Sequence, residues 1–119
     1  PGEDALGCAG RELAEETGLR AGAWLKVLEM DLSNSLTDEQ AVIFIATGLT
    51  PGPAEPDATE VLKHRTAHFL DVLARVSDGR IRDAMTVAAV LRAHHMAVTG
   101  QLPAPLAAAM LRQGEQADG

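Results

Sequence analysis

Residues 3–19, EDALGCAGRELAEETGL, are the stretch from which the rest of the chain can be read. Asp4 is a natural N-cap, and Leu6, Gly10, Leu13 and Thr17 follow at spacings of three or four, which is one face of a helix. Gly18 is a helix-ending residue, so the spacing predicts a helix over 4–17. Gly7 and Gly10 inside it each cost about 1 kcal/mol relative to Ala, which another backbone packing closely there would justify. Glu12, Glu15 and Glu16 stand three and four apart and project from adjacent turns. Three carboxylates so placed repel one another unless a cation lies between them, and hard oxygen ligands suit Mg²⁺ or Mn²⁺. An isolated acidic run of this kind would be read only as a solvated helix face.

Around that helix the chain is an ordinary globular sequence of 119 residues, 46% apolar and 23% charged, which predicts one domain around one core. Trp24, Phe44 and Phe69 are its only aromatic residues and its net charge is −7, which exclude a base-stacking or phosphate-backbone binder, so no nucleic-acid partner is expected. Cys8 is the single cysteine, so an internal disulfide and a multi-cysteine zinc site are excluded. No apolar run reaches the roughly 18 residues of a membrane span. No membrane association is expected, and the chain reads as cytoplasmic. The acids concentrate in residues 1–60, with twelve against three bases. An acidic half that handles an anionic substrate needs cations to do so.

Segment 22–32 partly alternates and predicts a strand with Trp24, Lys26, Leu28 and Met30 on one face. The β-branched run 40–47, QAVIFIAT, predicts a second strand buried on both faces. Between them, residues 33–39 are dense in turn formers, and 51–57, PGPAEPD, separates the second strand from an expected third at 59–66. Helices are expected over 67–77, over 83–98 with Asp83 as N-cap, and over 103–113 with Pro103 near the first turn. Residues 114–119 read as a flexible tail. This order of elements gives an α/β or α+β layer arrangement.

Glu3, Arg11, Glu12, Leu13, Glu15, Glu16, Gly18 and Leu19 fill a fixed pattern, E-x7-R-E-L-A-E-E-T-G-L. It resembles the Nudix box, G-x5-E-x7-R-E-U-x-E-E-x-G-U with U aliphatic, at every position from the first glutamate onward. Residues 33–46 and 78–91 look like the downstream half of Nudix enzymes that cleave ADP-ribose and related nucleoside diphosphate sugars. The resemblance implies an α/β fold, the Nudix-type α/β/α sandwich with a mixed sheet, over residues 1–113. The opening glycine of the box and the strands before it would precede Pro1, so the domain is expected to be incomplete at its N-terminus. Asn34 and Ser35 stand where the ADP-ribose enzymes usually carry a proline.

By the same resemblance, Glu12, Glu15 and Glu16 hold Mg²⁺ or Mn²⁺. Glu3 and Arg11 form a pair that braces the loop onto the helix and orients the ligands, with Gly18 as structural support. Arg11 could equally be an i,i+4 partner of Glu15. In the relatives a loop glutamate between two strands faces the metals as the general base. Glu39 matches that place, Asp38 is its neighbouring contender, and Glu15 is a further catalytic candidate. The implied activity is metal-dependent hydrolysis of a nucleoside diphosphate linked to another moiety, ADP-ribose or another nucleotide sugar, by a homodimer. Hydrolysis of nucleoside triphosphates or dinucleoside polyphosphates, or a non-catalytic module binding a nucleotide or a protein, are the alternatives.

Other residues are read as structural. His94 and His95 are consecutive on a helix and cannot clamp one metal together, and the break at 66–67 separates His68 from His64. Cys8 is expected to be a small packing residue without a basic neighbour to activate its thiol. Arg80 and Arg82 could reach a phosphate, but Asp83 beside them favours a structural turn.

Overall fold

The computed structural model describes residues 4–32, 39–52 and 66–113. The chain divides into two compact units, Pro1–Arg65 and Thr66–Gly119.

In the first unit, helix α1 spans Ala5–Thr17 as the spacing predicts. Its first turn is closed by the Asp4 carboxylate, which accepts from the Gly7 N–H at 2.7 Å. Its end is closed by Gly18, whose φ of 75° lets its N–H return to the Ala14 carbonyl at 2.8 Å. The Thr17 hydroxyl donates to Leu13 O and accepts from Leu19 N, which turns the chain out of the helix.

Strand β1 (Leu19–Arg20) pairs antiparallel with β4 (Thr50–Pro51), and β2 (Ala23–Asp31) pairs antiparallel with β3 (Gln40–Thr47). These are the pairings among the described residues, and both are antiparallel. The two ladders meet at a pair of glycines: Gly22 N–H reaches the carbonyls of Thr47 and Gly48 at 2.8 and 3.1 Å. A β-carbon on Gly22 would lie 3.4 Å from the Gly48 carbonyl oxygen, and Gly48 has φ +66°, so this crossing is built for residues without side chains.

Two strand expectations are corrected. The register shifts between Lys26, across from Phe44, and Leu28, across from Ile43. One extra residue reverses the alternation beyond it. Trp24 and Lys26 therefore share a face with Ala46 and Phe44, whereas Leu28 and Met30 lie on the opposite face with Leu25, Ile43, Ile45 and Ala41. Val27 itself is 3% exposed. The run 40–47 is a strand, but among its eight residues only Ala41 is buried and the six after it are partly exposed. Among the described residues β2 is the only strand beside it, so one edge and much of both faces lack a covering neighbour. Of the strand expected at 59–66, residues 59–65 lie outside the described residues and Thr66 is in no strand; the tail 114–119 also lies outside them.

The second unit is helical. Helix α2 spans Phe69–Ser77, α3 Ala84–Val98 and α4 Ala104–Leu111, each within the range its sequence predicts. Its buried residues are Val76, Ala93, Met96, Ala97, Leu102 and Met110, a core of small and flexible side chains. Ala93, Met96 and Ala97 occupy one stripe of α3 at spacings of three and four. Phe69 stacks on His94 with ring centroids 6.4 Å apart.

Asp78 and Asp83 frame the turn between α2 and α3. Asp78 accepts from Arg80 Nε at 2.8 Å and from Arg80 N at 3.0 Å. The Arg80 guanidinium, then its backbone N–H, hold the Asp78 carboxyl below its ordinary value, and Asp78 holds Arg80 above its own. Asp83 caps α3 through the Thr86 N–H at 2.9 Å and the Thr86 hydroxyl. The hydroxyl bond, then the backbone bond, hold its carboxyl below 3.8. A depressed carboxyl contributes stability above its unfolded value, lost as pH falls through the folded one. At neutral pH, Asp83→Ala is expected to melt below wild type. The gap should narrow as pH drops below 3.8, a trend thermal melts at several pH values would show.

Candidate functional site

All three box carboxylates within the described residues lie on α1. Successive residues turn by about 100°, so Glu15, Glu12 and Glu16 stand at about 140°, 200° and 240° from Gly10 around the axis. Gly10 faces the sheet, where a β-carbon on it would lie 3.8 Å from Trp24 Cζ2. The neighbour at this glycine is therefore an indole ring and not the backbone its sequence suggested. Glu12 and Glu16 consequently project from the side of α1 away from Trp24, and both are exposed.

Glu15 is held. Its two carboxylate oxygens accept from Arg11 Nη1 at 3.1 and 3.3 Å, with the two side chains 48% and 42% exposed for arginine and glutamate. The i,i+4 pairing weighed for Arg11 is thus present, while Glu3 lies outside the described residues. Arg11 also donates through Nη2 to Cys8 Sγ at 3.6 Å. This corrects the reading of Cys8: it has a basic neighbour, three residues on, because i and i+3 share a helix face.

Glu39 is exposed immediately before β3 and holds its place by its carbonyl, which accepts from Leu32 N at 3.0 Å. Next to it, Gln40 donates to Asp31 at 3.2 Å. Asp31 is seven positions beyond Trp24 on β2, about 23 Å at the usual strand rise. Helix α1 meets the hairpin at the Trp24 end and runs from there into Gly18 and β1, so the structure does not bring Glu39 beside Glu12, Glu15 and Glu16. Among the described residues, no group of three or more His, Cys, Asp or Glu is gathered closely enough to hold a metal ion. What the helix presents is a pair of exposed hard-oxygen donors one turn apart, with a third pinned by an arginine. Two carboxylates fit a cation that takes its remaining ligands from water and from phosphate oxygens. Asp38 lies outside the described residues. Arg80, weighed as a phosphate contact, is engaged with Asp78 at 2.7 Å.

No model of a known family matches the chain. An ADP-ribose pyrophosphatase of Mycobacterium tuberculosis is 31% identical to it over 101 residues, which are 82% of this chain and 48% of that protein. A crystal structure of an ADP compounds hydrolase superposes on it with a TM-score of 0.63 at 28% identity, over 85% of this chain and 54% of that one. The chain thus spans about half the length of each relative. No helix among the described residues is long and apolar enough to cross a membrane.

Proposed function

From the premise that this chain belongs to the Nudix family, we propose that the protein hydrolyses the diphosphate of a nucleoside diphosphate joined to another moiety, with ADP-ribose as the first candidate substrate. The observation that carries this reading is the run Arg11, Glu12, Glu15 and Glu16 on α1, with Glu12 and Glu16 exposed on the side away from the sheet. The names of the two relatives, an ADP-ribose pyrophosphatase and an ADP compounds hydrolase, support the substrate class. A binding module has no need of three adjacent acids, whereas a site that must hold a divalent cation does.

Glu12 and Glu16 would hold Mg²⁺ or Mn²⁺. Glu15, paired with Arg11, adds negative charge beside them. A divalent cation there supplies Lewis-acid charge that offsets the negative charge gathering on the diphosphate oxygens. In the reaction, the oxygen of water bonds to one phosphorus and the bond from that phosphorus to the bridging oxygen breaks. Glu39 is proposed to take the proton of the water as general base, which requires that substrate binding bring it to the α1 end of the hairpin. The remaining proposals are a homodimer and a cytoplasmic enzyme.

The test is a panel of ADP-ribose, other nucleoside diphosphate sugars, nucleoside triphosphates and dinucleoside polyphosphates, offered to the full-length protein with Mg²⁺ and with product identification. The diphosphate-linked compounds are expected to be cleaved to two monophosphates. Cleavage confined to triphosphates would move the enzyme to the other branch, and cleavage of none would leave a binding module.

A further inference from the structure

The carboxylates of α1 can act together only if the helix sits at one rotation on the sheet, and the residues that set this rotation lie outside the box. At Gly10, α1 comes down over one ring of the sheet: a β-carbon there would lie 3.8 Å from Trp24 Cζ2, ordinary van der Waals contact. Trp24 is itself fixed from the side. Phe44 meets it edge-on, with centroids 6.0 Å apart and planes at 84°, an arrangement that aromatic quadrupoles favour. The register places both rings on one face of the hairpin, Trp24 across from Ala46 and Phe44 across from Lys26. The bulge at Val27 interrupts this face just beyond Lys26, so the two-ring plate ends where the alternation reverses. Both rings are half-buried, and Glu12 and Glu16 are on the far side of the helix.

We infer that Trp24, braced by Phe44, is a positioning residue for the metal-holding carboxylates: its ring is the plate on which Gly10 rests, and this contact sets the direction in which Glu12 and Glu16 point. The inference rests on the proposed metal role of α1. Trp24 touches neither cation nor substrate. It acts through the helix, as residues that orient ligands do in metal sites generally.

The contact can be altered from either side. Gly10→Ala adds one carbon at a distance the ring already accommodates and should bind Mn²⁺ as wild type does. Gly10→Leu adds carbons that need the space of the ring and lifts or turns the helix. Trp24→Phe withdraws the atom that Gly10 meets. Mn²⁺ affinity of the full-length protein, read by electron paramagnetic resonance without substrate, is the measurement, with circular dichroism melts run in parallel. Wild type should bind Mn²⁺. Gly10→Leu and Trp24→Phe should lose about tenfold or more in Mn²⁺ affinity while folded, the range that orienting residues command in metal sites. Adding Trp24→Ala to Gly10→Leu should recover part of the loss by returning the space. In steady state at saturating Mg²⁺, the effect should fall on kcat more than on KM. Unchanged Mn²⁺ affinity in folded Trp24→Phe overturns the inference and leaves the metal reading intact. Failure of wild type to bind Mn²⁺ overturns the metal reading and this inference with it.

Discussion

Glu16→Gln is expected to abolish most Mn²⁺ binding and to lower kcat/KM by about 10²–10³, the cost of removing one preorganised electrostatic group from a charged transition state. Glu16 and Glu12 are one helical turn apart and exposed on the same side of α1, so one cation is within reach of both. Neutralising one of them weakens the ligand set itself, and higher Mg²⁺ should restore part of the rate. Glu15 is paired with Arg11 through both of its oxygens, so replacing Glu16 with it as a ligand would weaken that ion pair. Equal Mn²⁺ affinity in wild type and variant would remove Glu16 from the metal site.

The second large effect is separable from the first. Glu39→Gln is expected to lower kcat by about 10²–10⁴, the usual loss when a general base is removed, and to leave Mn²⁺ affinity nearly unchanged. The motive is its position: an exposed carboxylate at the entry to β3, in the place where Nudix relatives carry a loop glutamate. The effect requires Glu39 to reach the α1 end of the hairpin, about 23 Å along the strand, in the substrate complex. Steady-state rates at saturating metal decide it. A wild-type kcat in Glu39→Gln would transfer the proton to Glu15 or Asp38.

Local signals account for what could be read before any coordinates. The helix α1 announces itself because Asp4, the three-and-four spacing and Gly18 each act within one turn of the chain. The strand 40–47 is legible for a similar reason, since Val42, Ile43 and Ile45 prefer an extended backbone whatever lies beside them. The facing of β2 was not legible. Its alternation looks continuous from Trp24 to Met30, and the shift between Lys26 and Leu28 that reverses it is a property of the register with β3. The two-residue strands β1 and β4 are too short to leave a period, and they form because Gly18, Gly22 and Gly48 bring the backbone close.

The site divides in the same way. Glu12, Glu15 and Glu16 belong to one helix, so their grouping follows from spacing alone. The Arg11 bond to Cys8 was available from the i,i+3 rule. Trp24 under Gly10 and Glu39 at the other end of the hairpin are relations between separate elements, and no local pattern encodes them.

The central claim is that water attacks phosphorus in a diphosphate with help from a cation on α1. Its most direct test is hydrolysis of ADP-ribose by the full-length protein in ¹⁸O-labelled water, with and without Mg²⁺, followed by mass spectrometry of the products. The account predicts AMP and ribose 5-phosphate only when Mg²⁺ is present, with one ¹⁸O in the phosphate of one product. Cleavage that proceeds equally without metal, or label found on a ribose carbon in place of phosphorus, would contradict it.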